Sequence, residues 1–177
     1  MENGYYSVQF YDLSGNICHT EVYDVSQADF ECRYSEEFSV VSINVQRRES
    51  PTTFYYQFFN AKSGDLSKLY DEYDRYVIGR NFEKNLIVTI EQATFGESSL
   101  NGKIVIENIF PPYNDPRTFY LNVEQDYNNP SLDINDGIHF LSFENDGIHI
   151  NYTTIDRVAS TVEQVKLVEC STTIPYF

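Results

Sequence analysis

The fold is decided by the stretch IHFLSFENDGIHINYT, residues 138–153, in which apolar and polar side chains alternate on either side of Asp146-Gly147. Aspartate followed by glycine favours a two-residue type I′ turn, which needs positive φ at both central positions. Alternation with a period of two is typical of strands that bury one face. The sequence therefore predicts a β-hairpin with these cross-strand pairs: Phe143 with Ile150, Leu141 with Tyr152, Glu144 with His149, and Ser142 with Asn151.

Further strands are predicted wherever alternating or aromatic-rich runs lie between turn residues. Tyr6, Val8 and Phe10 alternate with polar residues before the turn at 14–16. Many short strands separated by Gly, Asn, Asp and Pro are typical of sandwiches and barrels. We therefore expect a single mainly β domain over residues 1–177, an antiparallel β-sandwich or barrel-like fold of about ten strands. The predicted strands span 5–13, 17–25, 38–46, 52–59, 86–95, 103–110, 118–124, 138–143, 148–153 and 163–170.

One segment departs from this alternation and predicts a helix around residues 65–77. Apolar side chains recur there at helical spacing, and Asp65 stands where an N-cap is expected. On the other face, oppositely charged residues are four apart and would pair along the helix, Lys68 with Glu72 and Asp71 with Arg75. The sequence thus predicts a three-turn helix packed across one sheet. Residues 27–37 are compatible with either a loop or a short helix.

Cysteine usage and the N-terminal residues indicate a compartment. Cys18, Cys32 and Cys170 are an odd number without C-x-x-C spacing, so they form neither a disulfide framework nor a zinc knuckle. Residues 1–6 contain no basic segment followed by an apolar one, so no signal peptide is expected. No apolar run approaches the ~18 residues of a membrane span. We expect a cytoplasmic protein without membrane contact.

The sequence contains no recognisable catalytic or cofactor motif. A P-loop, a G-x-G-x-x-G fingerprint, a G-x-S-x-G elbow and an H-E-x-x-H zinc motif are all missing. His139 and His149 differ in parity on the predicted hairpin, so they would point to opposite faces rather than share a metal. The run 133–137 resembles a calcium loop only faintly, because its glycine is one position too early. We expect no enzyme activity, no metal and no cofactor.

The charge of the chain is strongly and unevenly negative. It has 27 acidic and 12 basic residues among 177, a formal charge of −15. Two stretches, 1–32 and 118–156, contain no Lys or Arg but six and seven acidic residues respectively. A protein this negative repels nucleic-acid phosphates, so direct nucleic-acid binding is not expected. Acidic loops complement a basic protein surface and accelerate association with it.

These observations favour a non-catalytic, protein-binding inhibitor of the immunity-protein or anti-defence type. Such a protein would block a basic surface of its partner, for example a nucleic-acid-binding surface, with acidic loops and aromatic anchors. The residues predicted to contact the partner are Glu124, Asp126, Asp133, Asp136, Glu144, Asp146, Tyr113 and Tyr127. Two alternatives remain open, a ligand-binding sandwich for carbohydrate and a structural subunit of a virus particle. The oligomeric state is not predicted.

Overall fold

The computed structural model describes residues 5–24, 28–47, 54–71, 75–91, 102–121, 138–155, 160 and 166–176. Over these residues the chain forms strands and turns and no helix, which confirms the predicted mainly β class. No segment there could cross a membrane as a helix. The strands are β1 (Tyr5–Tyr11), β2 (Ile17–Asp24), β3 (Ala28–Ser35), β4 (Val40–Arg47), β5 (Phe54–Asn60), β6 (Asp65–Leu66), β7 (Tyr70–Asp71), β8 (Arg75–Asn81), β9 (Leu86–Glu91), β10 (Lys103–Asn108), β11 (Arg117–Tyr120), β12 (Ile138–Phe143), β13 (Ile148–Ile155) and β14 (Leu167–Ile174).

These strands make four antiparallel sheets. The hairpin sheet is β1-β2, and the five-stranded sheet has the order β3-β4-β5-β6 with β7 also paired to β5. The four-stranded sheet has the order β11-β10-β9-β8, and the three-stranded sheet has the order β12-β13-β14. Most neighbours in a sheet are neighbours along the chain, which is the expected result of short turns.

Three apolar clusters connect the four sheets in series. The first lies between the hairpin and five-stranded sheets, the second between the five- and four-stranded sheets, and the third between the four- and three-stranded sheets, as in a β-sandwich. Phe58 and Phe59 are adjacent in β5, yet Phe59 belongs to the first cluster and Phe58 to the second. Ile87 and Val88 divide in the same way between the second and third clusters. The two central sheets therefore bury both faces.

The predicted hairpin at 138–153 is present, with a register that differs by two residues. Phe143 pairs with Ile148, and the Glu144 N–H donates to the Gly147 carbonyl at 2.9 Å. A shift of two residues keeps every side chain on its predicted face. Gly147 lies against β14, where a Cβ would collide with the backbone carbonyl of Ile174. The glycine thus serves the close approach of β14 rather than the centre of the turn.

The helix predicted around residues 65–77 is wrong. Residues 65–66 and 70–71 are the short strands β6 and β7, both paired with β5, and β8 begins at Arg75. The cations expected to pair along a helix instead reach a distant strand, since Lys68 and Arg75 both contact the Glu107 carboxylate of β10. Contacts between strands therefore outweigh the local helical spacing.

The ten predicted strands all correspond to observed ones, and four more are found. Strand β3 occupies most of the ambiguous segment 27–37 and pairs with β4, while β6, β7 and β8 replace the predicted helix. The largest displacement concerns the last strand, predicted at 163–170 and observed at Leu167–Ile174. Strand β14 pairs with β13 over eight residues, and this pairing sets its position. Local sequence alone does not specify which residues pair with β13.

Candidate protein-interaction site

The three described residues of the predicted partner-binding set lie next in sequence to residues that line one groove, but none of the three lines it. Glu144 and Asp146 are exposed in the turn between β12 and β13, and Tyr113 lies in the segment between β10 and β11. Asn145 from the first turn, together with Asn114 and Asp115 from the second segment, lines a groove of about 750 Å³. We call it the end groove; Lys84, Arg117 and Tyr176 also line it. Residues more than 30 positions apart in the chain are thus brought together.

Asp146 is held by a histidine on the adjoining strand. Its Oδ1 lies 2.8 Å from Nε2 of His149, whose Nδ1 is 3.4 Å from the Thr173 hydroxyl. The hydrogen bond from His149 keeps the pKa of Asp146 below its usual value. Glu144 lies on the same depression as Asp146 and His149. This turn therefore presents two carboxylates in a fixed arrangement.

Tyr113 is an exposed aromatic side chain with a defined position. Its hydroxyl is 3.4 Å from the Leu66 carbonyl, which can accept its hydrogen bond, and Nζ of Lys68 is 4.7 Å from the centre of its ring. Burial of the hydroxyl raises the pKa of Tyr113. The ring is 40% exposed. An aromatic ring that is exposed and already oriented loses little conformational entropy on binding.

The cations near the end groove are occupied by contacts within the protein. Arg117 donates to the backbone carbonyls of Tyr176 at 2.6 Å and Pro175 at 2.9 Å. Nζ of Lys84 lies 4.9 Å from the centre of the Tyr176 ring. Both side chains keep their positive charge in these contacts, and Lys84 is exposed, as are Asp115 and Glu144. The rim of the groove therefore carries charges of both signs.

Glu107 is the exception among the carboxylates, because it is buried and neutralised. Its two oxygens contact Nζ of Lys68 at 2.9 Å and a guanidinium nitrogen of Arg75 at 3.4 Å, and only 3% of its side chain is exposed. A buried carboxylate without such partners would be strongly unfavourable. The two cations thus neutralise the carboxylate of Glu107, a residue that also lines the end groove.

Five of the predicted contact residues, Glu124, Asp126, Asp133, Asp136 and Tyr127, lie outside the described residues, as does the side chain of His139. Within the described ranges, no three His, Cys, Asp or Glu side chains lie close enough to hold a metal ion. Sequence reasoning also passed over the exposed apolar residues of the first hairpin, Tyr5, Tyr11, Leu13, Ile17 and Val22. Ile17 and Val22 differ in parity along β2, so alternation alone does not place these residues on one face.

Comparison of the chain with protein-family models, with curated proteins and with solved structures gives no match.

Proposed function

We propose that this protein is a non-catalytic binding protein that blocks a basic surface of a partner protein, as immunity proteins and anti-defence inhibitors do. The observation that carries the proposal is the pair of exposed carboxylates in the turn between β12 and β13, Glu144 and Asp146, together with the acidity of the whole chain. Asp115, on the rim of the end groove, is also exposed. With a formal charge of −15, the whole molecule adds a long-range field of the same sign.

Electrostatics would act mainly on the association rate, and aromatic contacts mainly on the dissociation rate. Complementary charge raises association rate constants toward about 10⁸–10⁹ M⁻¹s⁻¹ at low salt, against roughly 10⁵–10⁶ for neutral pairs. Buried aromatic anchors then slow dissociation. Tyr113, oriented by Leu66 and Lys68, is the anchor available beside the end groove. Binding should therefore weaken as ionic strength rises, because salt screens exposed charges beyond about 10 Å at 0.1 M.

The test begins with affinity capture from native host lysate at low and high salt, followed by purification of the retained protein. Binding of that protein is then measured for Asp115→Lys/Glu144→Lys and for the matched control Glu36→Lys/Glu37→Lys, whose sites are exposed in the β3–β4 turn. We expect the groove variant to lose about tenfold or more in affinity, through slower association. The control should lose much less. Equal losses would contradict a role for the groove, and the absence of any salt-sensitive basic partner would contradict the proposal.

A second candidate is binding of a small carbohydrate in the end groove. Its volume of about 750 Å³ lies within the roughly 300–1,000 Å³ usual for small-molecule sites. Asn114 and Asn145 offer amide groups, and Tyr176 offers an aromatic ring. A glycan array with the wild type and with Tyr176→Ala checks this candidate. Binding that disappears in the variant would favour it, and an array without hits would remove it.

A further inference from the structure

The outward face of the hairpin sheet exposes several large apolar side chains, with Ser7, Gln9 and Thr20 between them. On the inward face, Val8, Phe10 and Cys18 pack in or against the first apolar cluster. On the outward face, the cross-strand pairs place Tyr11 opposite Ile17, and Val22 opposite Ser7. The described chain has eleven exposed large apolar side chains, of which five belong to this hairpin. They are Tyr5 (61% exposed), Tyr11 (48%), Leu13 (63%), Ile17 (53%) and Val22 (62%).

The hairpin is held firmly against the five-stranded sheet. The Leu13 N–H donates to the Ala61 carbonyl at 3.1 Å, and Nε2 of His19 lies 2.8 Å from the Gly64 carbonyl. Tyr23 donates from its hydroxyl to Oε1 of Gln57 at 2.6 Å. These bonds anchor the turn and both ends of β2. The outward face is therefore presented in a fixed shape, which lowers the entropy cost of binding.

We propose that this face docks a partner protein whose contact surface is apolar at its centre and positively charged at its rim. The inference rests on the proposed function and adds where the apolar contact is made. Exposed apolar patches of this kind mark interaction sites in folded proteins. Tyrosine is among the residues that contribute most to such interfaces, and two tyrosines lie on this face.

The charge of the hairpin indicates which kind of protein would bind its outward face. Residues 1–32 contain no Lys or Arg, and Asp12 lies in the hairpin turn. Glu21 pairs with Val8 and so lies on the inward side of the hairpin. A second copy of the chain, itself at −15, would place a strongly negative protein against this negative one. Like charges placed together across an interface are unfavourable. A partner with basic residues around an apolar centre satisfies both features of the hairpin.

The test uses two synthetic peptides of equal length and equal charge, one alternating lysine with phenylalanine and one alternating lysine with serine. Their affinities are measured for the wild type, for Tyr11→Ser/Val22→Ser, and for the control Tyr34→Ser/Val168→Ser. The control removes the same two residue types from exposed positions on β3 and β14. All four positions are exposed, so circular dichroism should show unchanged folding.

We expect the wild type to prefer the phenylalanine peptide, and the hairpin variant to reduce that preference about tenfold, as loss of anchor residues does. The control variant should keep it. A preference unchanged in the hairpin variant would overturn the docking face while leaving the proposed function intact. Failure of both peptides to bind the wild type would overturn both. Light scattering that shows a wild-type dimer dissociated by Tyr11→Ser/Val22→Ser would assign the face to a second copy and overturn the partner.

Discussion

The first hairpin and strand β13 differ in the side chains that they expose to solvent. Along β13 the inward residues Ile148 and Ile150 are fully buried, and the outward ones, such as His149 and Asn151, are polar. Such a division is expected where one face of an antiparallel sheet meets water. In the hairpin sheet the inward face is apolar as well, but the outward face also carries Tyr11 and Val22 along with neighbouring apolar residues. The outward faces of the two sheets therefore differ in how many apolar side chains they expose.

The largest expected effect is the difference in free energy of unfolding between a variant of a buried apolar residue and a variant of an exposed one. Ile150→Ala should lower the free energy of unfolding by about 2–5 kcal/mol, because it leaves a cavity in the third apolar cluster. Val22→Ala should change it by less than about 0.5 kcal/mol, because Val22 is exposed. Urea unfolding of both variants measures the difference. A comparable loss in Val22→Ala would mean that its side chain supports the fold rather than a partner.

The second effect compares the glycines of the two turns. Gly147→Ala should cost about 2 kcal/mol, because its Cβ would collide with the Ile174 carbonyl and force β14 to move. Gly15→Ala should cost about 1 kcal/mol, because Gly15 has a φ of 83° but open space around it.

The control for these two variants is asparagine, which tolerates positive φ. Gly15→Asn should recover most of the loss, whereas Gly147→Asn should recover none, because the collision at Gly147 is steric. Thermal or urea unfolding checks all four variants. Recovery by asparagine at Gly147 would show that backbone conformation, and not the approach of β14, requires the glycine there.

The smallest effect concerns the turn aspartates. The side chain and backbone N–H of Asn16 hydrogen-bond to Asp12, each at 2.8–2.9 Å, and lower the pKa of Asp12; His149 lowers that of Asp146. Because both pKa values are lower in the folded state, the stabilisation is present above the unfolded pKa of about 3.9 and is lost as pH falls through the folded values. Carboxyl-carbon NMR titration measures both.

Single variants distinguish the two aspartates. Asn16→Ala should raise the pKa of Asp12 and leave that of Asp146 unchanged, and His149→Gln should do the reverse. The Asn16 side chain is the largest cause of the lowered pKa of Asp12, beside backbone N–H groups of the same turn, and the His149 hydrogen bond is the largest cause at Asp146. If either substitution moved both pKa values together, the general charge of the protein, rather than the local hydrogen bond, would be the cause.

The sequence predicts strand positions well because alternation is a local property. The hairpin at 138–153 and the hairpin before and after 14–16 are both found, and the faces of the former are correct. The helix predicted at 65–77 is wrong although Leu66, Leu69 and Tyr70 have helical spacing, because the chain there pairs with β5 instead. Lys68 and Arg75 contact Glu107 of β10, a distant partner that local spacing does not reveal.

The candidate site was less predictable than the fold. Glu144, Asp146 and Tyr113 were selected for charge and aromatic character, but only the folded chain brings their segments to one groove. The exposure of Tyr11 and Val22 depends on which sheet covers which face. Alternation within each strand does not fix the register between β1 and β2, and it contains no information on whether a face is covered.

Phe58 and Phe59 are adjacent in β5, so packing of phenyl rings alone does not distinguish its register from one shifted by a single residue. If β5 slipped by one residue, Phe58 and Phe59 would exchange sides, and each apolar cluster would still receive a phenyl ring. Gln57 removes the degeneracy: it is buried, accepts from Tyr23 and donates to the Ser67 carbonyl at 3.2 Å. After a slip its amide would face the apolar second cluster without these partners, which is costly. A single buried amide thus discriminates between two otherwise equivalent arrangements of the central strand.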